Sequence, residues 1–246
     1  MRLLTLDIET KPLTVHSWGL WDQRIGINQI IDGGGLLSWA AKFHGERKVH
    51  FASEWEDGER GMARRMHALL DEADAVLGWN SDKFDVRWLN AIFAKHGMAR
   101  PSPFVKVDLM KSVRHFLYLP SYKLDFVAGY LGVGRKVRTG GFELWADVMA
   151  GDEKAQAHMR RYNIADTKLA EAVFDKLRAK GWIKGLPNHA VDGGHVCPHC
   201  GSEKLQARGW QHTKTRRYQR FQCKTCFAWS QSVASEPGSA KLKAVA

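Results

Sequence analysis

The sequence has no run approaching the roughly 20 consecutive apolar residues that a membrane-spanning helix needs. Its N-terminus also lacks a secretory signal pattern and begins directly with strand-like sequence. A membrane role is thereby set aside, and a soluble, cytoplasmic protein is expected. Cysteine is missing from the first 196 residues, and all four lie between 197 and 226. Internal repeats and low-complexity tracts are absent as well. Acidic residues are scarce: 26 Asp and Glu stand against 37 Lys and Arg, a formal charge of +11. Such an imbalance favours a polyanionic partner over a small neutral ligand.

What is present suffices for one substantial domain and a small appendage: 246 residues, 44% of them hydrophobic. Strand-like runs occur at LLTLDIET, GLLSWAAKF and KVHFAS, then at ADAVLGWN. Helical spacing appears across ERGMARRMHALLDEAD, with Met62, Met66, Leu69 and Leu70 on one face. Further helices are predicted at DKFDVRWLNAIFAKHG, VDLMKSVRHFL, KLDFVAGYLG and EKAQAHMRRYNIADTKLAEAVFDKLRAKG. The expected fold class is α/β, a mixed sheet flanked by helices. After Lys180 the composition shifts to a Gly-, Pro- and Asn-rich stretch, read as a linker over 181–195. From 181 onward there are ten basic residues and three acids, so most of the excess charge sits on the tail module. The remaining expected divisions are a main domain over 1–180, a cysteine module over 196–232 and a disordered tail over 233–246.

In LTLDIET the two-residue period of a strand places Asp7 and Glu9 on one face. Two like charges that close repel unless neutralised, and hard carboxylate oxygens suit Mg²⁺ or Mn²⁺. A solvated strand edge would account for that pair if it stood alone. Two other stretches supply partners. LGWNSDKFDVRWL leaves a strand and enters a helix that carries Asp85, and RYNIADTKLAEAV puts Tyr162 and Asp166 at i and i+4, on one helix face.

Taken in order, DIET, NSDKFD and YNIAD closely resemble the three exonuclease motifs of the DEDD superfamily, most of all those of the proofreading domain of B-family DNA polymerases. The likeness extends to GWNSDKFDVRWLNAIFAKHG, DLMKSVRHF and SYKLDFVAGYLG, and covers about residues 1–180. It implies an RNase H-like fold and a two-metal 3′ to 5′ phosphodiesterase. On this resemblance Asp7 bridges two Mg²⁺ or Mn²⁺ ions, Glu9 and Asp166 complete one, and Asp85 holds the other through water. Tyr162 orients the attacking water. Tyrosine four residues before the last Asp marks the tyrosine subtype; the position five before it, histidine in the other subtype, is Arg161 here. Thr10, Asn80 and Phe84 match positions near the terminal nucleotide, with a core role favoured for Phe84. Trp18, Trp21, Trp39, Trp55, Trp79 and Trp88 are expected mostly in the core or at interfaces, with stacking on unpaired bases as the other use for some of them.

The tail pattern is CPHC, 22 residues, then CKTC, giving Cys197, Cys200, Cys223 and Cys226 as two paired knuckles for one tetrahedral Zn²⁺. Two disulfides are the alternative, disfavoured by the absence of a secretory signal. Phe227 stands where a knuckle often has Gly. Between the knuckles, ARGWQHTKTRRYQRFQ interleaves basic and aromatic residues in an expected hairpin, with Arg216, Arg217 and Tyr218 as candidate nucleic-acid contacts. The module resembles zinc ribbons appended to phage and transposon enzymes that act on DNA.

The expected function is therefore a stand-alone metal-dependent 3′ to 5′ exonuclease. Its expected substrate is DNA with a free single-stranded 3′ end, in preference to RNA, with a replication or recombination protein as a further partner. A structure-specific endonuclease and a non-catalytic nucleic-acid-binding adaptor are the alternatives.

Overall fold

A computed structural model describes residues 1–186, 195–213 and 215–237. In chain order the elements are β1 (Leu3–Lys11), β2 (Thr14–Val15), β3 (Ile30–Asp32), β4 (Gly35–Phe43), β5 (His50–Ser53), α1 (Glu54–Asp71), β6 (Ala75–Gly78) and α2 (Asp85–Lys95). They continue with β7 (Val105–Asp108), α3 (Leu109–Phe116), α4 (Leu124–Tyr130), α5 (Glu143–Met149) and α6 (Glu153–Arg178). Four strands follow: β8 (Leu205–His212), β9 (Arg216–Cys223), β10 (Trp229–Gln231) and β11 (Glu236–Pro237).

The main sheet has the order β5-β4-β1-β6-β7. The hairpin-linked strands pair antiparallel, β1 with β4 and β4 with β5, while β6 and β7 join in parallel after helical crossovers. This is the expected mixed α/β sheet. The strand period divides β1 as the sequence implies. Leu4, Leu6 and Ile8 bury against Met62, Met66, Leu69, Leu70, Leu89 and Phe93 of α1 and α2. Leu3, by contrast, joins Leu77 and Val107 beneath α3, α4 and α6, where Val113, Val127, Val173 and Phe174 close the second layer. Trp39 is fully buried and donates its indole N–H to the Met62 carbonyl at 3.1 Å, so its polar atom is satisfied inside the core.

Helix α6 is tied to the sheet by polar groups as well as apolar ones. Thr167 donates to the Ala40 carbonyl at 3.3 Å, and the largely buried Lys42–Glu171 pair closes at 2.5 Å. Breaking one partner of such a pair would leave an uncompensated charge, which makes the helix position well specified.

Several local expectations change. Val107 and Asp108, read as the start of a helix, end β7, because the parallel register Ala75↔Val105 to Gly78↔Asp108 satisfies their backbone. Asp108 then caps α3 by accepting the Lys111 N–H at 3.2 Å. Trp18 and Trp21 are 97% and 83% exposed, not core residues, since they sit in the excursion between β1 and β4, which holds the small β2–β3 pair and a 3₁₀ turn over Ile27–Gln29. Phe84 is 40% exposed, so its core reading does not stand.

In the stretch read as a linker, Ile183 is buried in the α3–α4–α6 layer and the Lys184 N–H donates to Ser112 Oγ at 3.1 Å. Residues 187–194 of that stretch lie outside the described residues. Glu236 and Pro237 pair with β9, so the expected disordered tail begins with an ordered edge strand; residues 238–246 lie outside the described residues.

The cysteine module packs on the end of α6. Arg178 Nε donates to the His199 carbonyl at 3.1 Å, and Lys180 Nζ lies 5.1 Å from the centre of the Phe227 ring. Gly181, at φ +73°, is pressed against Ala228: a Cβ there would come within 2.2 Å of the Ala228 methyl.

Candidate functional site

The side of β1 facing α6 carries the two carboxylates of DIET. Helix α6 answers with Tyr162, Asn163 and Asp166, and the carboxylate oxygens of Asp7, Glu9 and Asp166 lie within 4.8 Å of one another. Asp85 lies outside that triad but beside it: at the start of α2, its Oδ1 accepts the Ile8 N–H at 3.1 Å, one residue along from Asp7. The four acids expected to work together are thus assembled from β1, α2 and α6.

Asn163, not singled out from the sequence, fixes the central acid. Its Nδ2 donates to Asp7 Oδ2 at 2.6 Å and to the Asp7 carbonyl at 3.2 Å, while its own Oδ1 accepts from Ser38 at 3.2 Å. Lys136 was missed too. It enters from the loop between α4 and α5, placing Nζ 2.6 Å from Asp166 Oδ2 and donating to Tyr162 Oη at 3.0 Å. A glycine-rich loop has no periodicity that would announce an inward lysine, so no sequence signal marks it.

Crowding and burial disturb the acids together. Burial, reinforced by the charges of Glu9, Asp85 and Asp166, raises the Asp7 carboxyl well above its ordinary range. Burial carries Glu9 to about 8, with Lys136 opposing and Asp166 and Asp85 adding. Asp85 rises to about 7, again chiefly by burial, against the Ile8 hydrogen bond that favours its charge. Asp166 is raised by burial despite Lys136. Burial works against the Lys136 charge, but Asp166 and Tyr162 outweigh it and hold the ammonium protonated. Tyr162 is raised by burial and by Asp166, which keeps its phenol neutral.

Four carboxyl groups share one ammonium in a mostly buried site, and Asp166 Oδ1 is buried with no hydrogen-bond partner. Oxygen-only donors with an unsatisfied lone-pair acceptor fit a hard divalent cation.

The remaining nominated residues are less convergent. Thr10 follows a bulge at the end of β1. Asn80 takes a left-handed backbone (φ +62°), its N–H held by Asp108 Oδ1 at 3.1 Å. Exposed Phe84 borders α2 edge-on to Trp88. On β9, alternation sends Arg216 and Tyr218 to one sheet face and Arg217 to the other, where Arg217 lies over the Trp210 ring at 4.3 Å and pairs with Glu236 at 2.8 Å.

In the tail module the four sulfurs also lie within 4.8 Å of one another, with Cys197–Cys226 at 3.6 Å and Cys200–Cys223 at 3.7 Å. A tetrahedron with Zn–S bonds near 2.3 Å spaces its sulfurs about 3.8 Å apart, so the cluster fits zinc. The two knuckles match: Gly201 (φ +74°) donates to the Cys197 carbonyl, and Phe227 (φ +63°) to the Cys223 carbonyl. Burial raises the Cys223 thiol, but the N–H groups of Cys226 and Thr225 outweigh it and bring it to about 6, toward the thiolate a metal needs.

Residues 4–178 match the RNase_H_2 model of the RNase_H superfamily. The chain belongs to the RNase H superfamily. Among solved structures, this chain is similar to the family B DNA polymerase of the hyperthermophilic archaeon Pyrobaculum calidifontis, at 19% identity and a TM-score of 0.56. That alignment covers 74% of this chain and 25% of the polymerase, so the chain spans about a quarter of that polymerase's length. No curated protein matches the sequence. Membership of the superfamily supports a nuclease with a divalent-metal site and a nucleic-acid substrate. No helix among the described residues is long and apolar enough to cross a membrane.

Proposed function

We propose that this protein is a metal-dependent 3′ to 5′ exonuclease acting on DNA, with single-stranded 3′ ends preferred. The observation that carries the reading is the convergence of Asp7, Glu9 and Asp166 within 4.8 Å, with Asp85 against the same strand and Tyr162 one helical turn before Asp166. Asp7, Glu9, Asp85 and Asp166 would hold two Mg²⁺ or Mn²⁺ ions, with Asp7 common to both. Bound there, divalent cations supply Lewis-acid activation of water and neutralise charge at the departing oxygen.

The chain's own groups do the positioning. Asn163 locks the Asp7 carboxylate in one rotamer. Lys136 offsets the Asp166 charge and orients the Tyr162 hydroxyl, whose neutral O–H then aligns the attacking water. Thr10, Asn80 and Phe84 are the proposed contacts of the terminal nucleotide, with exposed Phe84 offering a ring face to its base.

The division into a catalytic domain over 1–180, a linker over 181–195, a zinc ribbon over 196–232 and a tail over 233–246 is part of the proposal. The ribbon would hold the strand through Arg216, Arg217 and Tyr218, with Zn²⁺ on the four cysteines as a structural ion. A replication or recombination protein is its proposed partner, and the cytoplasm its proposed location.

The deciding experiment digests matched DNA and RNA oligonucleotides, labelled at the 5′ end, with Mg²⁺ or Mn²⁺, beside Asp7→Ala. A descending single-nucleotide ladder, stronger on DNA and lost in Asp7→Ala, is expected. Internal cuts would replace the exonuclease with an endonuclease, and inert wild type would leave a binding adaptor.

A further inference from the structure

The loop from 131 to 142, LGVGRKVRTGGF, carries Arg135, Lys136 and Arg138 and no acid. It joins α4 to α5 and bends at Gly132, Gly134, Gly140 and Gly141, all at positive φ. A cavity of about 650 Å³ opens along it, and its walls include Arg135, Lys136, Arg138, Thr139 and Tyr162. Because Lys136 and Tyr162 belong to the carboxylate cluster, the cavity adjoins the catalytic centre.

The cations of this loop differ in what already engages them. Lys136 is committed to Asp166 and Tyr162. Arg135 lies across Gly129, where a Cβ would come within 2.4 Å of its Nη1, and it donates to the Asp125 carbonyl at 3.3 Å. The one acid of the cavity wall, Asp125, is 3.6 Å from Arg135 and accepts the Lys136 N–H at 2.9 Å. Its charge is therefore answered inside the protein. Arg138 is exposed: its backbone carbonyl accepts from His158 at 3.0 Å, while its guanidinium has no partner among the described residues.

We propose that this cavity is a nucleotide-phosphate site adjoining the catalytic centre, with the Arg138 guanidinium as its principal ligand and Arg135, preset over Gly129, as the second. The proposal rests on the nuclease reading and deepens it. A guanidinium fork matches phosphate geometry, and a glycine-rich turn lets the backbone come close to the ligand. The phosphate has two sources: an internal phosphodiester of the strand whose end is being cut, or the monophosphate just released.

The test measures binding apart from cleavage. In an Asp7→Ala background, a fluorescent oligonucleotide is titrated by anisotropy with and without Arg138→Ala, and with Arg138→Lys, across a salt series. A strand phosphate at this site predicts about a tenfold weaker Kd for Arg138→Ala and a log–log salt slope shallower by about 0.7. Arg138→Lys should recover part of both. A released monophosphate predicts an unchanged oligonucleotide Kd, with inhibition of the Asp7-intact enzyme by nucleoside 5′-monophosphate weakened about tenfold by Arg138→Ala. If Arg138→Ala and the double variant Arg135→Ala/Arg138→Ala alter neither quantity while thermal melting shows them folded, the site is overturned. A wild type that binds oligonucleotide through Arg138 without cutting it would instead sink the nuclease reading and leave this site standing.

Discussion

At the scale of single residues, Lys136 and Tyr162 share one hydrogen bond but carry different duties, and substitution separates them. Tyr162→Phe keeps the ring against Trp145, 6.1 Å away, and removes only the hydroxyl proposed to align water. A loss of about 10²-fold in kcat with KM nearly constant is expected in steady-state digestion. Lys136→Met leaves Asp166 without its cation, so it should slow turnover and also lower the melting temperature of metal-free protein. Equal melting temperatures for Lys136→Met and wild type would remove the charge-balancing role. The residues legible in the sequence were those whose spacing is fixed by an element, such as Asp7 and Glu9 by the strand period and Tyr162 and Asp166 by the helix turn. Lys136 was illegible because its place depends on a loop conformation. Asn163 was overlooked because an asparagine beside Tyr162 carries no pattern of its own, although its position one residue after Tyr162 on the same helix was available.

At the scale of elements, the long α6 and the strands β1, β4 and β6 were legible from periodicity, because each buries one apolar face over several residues. The two-residue β2 is too short for a period to emerge, and the last two residues of β7 were absorbed into the helix they introduce. Helix α6 has a further task, since its last turn is the seat of the cysteine module. Gly181→Val would add a side chain where even a methyl meets Ala228, at a backbone angle that β-branched residues avoid. Such a variant should retain zinc yet release the cysteine module to faster proteolysis, with melting of the main domain little changed. Cys223→Ser acts on the other side of the contact: zinc content should fall, and oligonucleotide affinity with it, most visibly at low salt. Unchanged affinity and salt slope in a zinc-free variant would assign the module to protein docking.

At the scale of the whole molecule, the acid cluster makes stability depend on pH and on metal. Glu9 and Asp85 keep their protons to about pH 8 and 7 in the metal-free fold, whereas their ordinary ranges in an unfolded chain lie near 4. Between those limits the native state binds more protons, so stability is present at the acid end of the window and is lost as pH rises through 7 and 8. Melting in Mg²⁺-free buffer should therefore fall from pH 5 to pH 8, less steeply in Asp7→Asn, and added Mn²⁺ should restore more at pH 8 than at pH 5. A flat profile would mean that the carboxylates ionise freely. Charge is distributed unevenly over the molecule as well: four acids meet at the site, whereas from 181 onward ten basic residues stand against three acids. The seat of the cysteine module on the last turn of α6 then has a metric consequence. From Asp166 to Arg178 the helix advances twelve residues, about 18 Å, close to five steps of a stacked strand. If the site cuts and the module grips, as proposed, a strand much shorter than this span would not reach from the carboxylates to the module, and its digestion is expected to be indifferent to loss of the zinc.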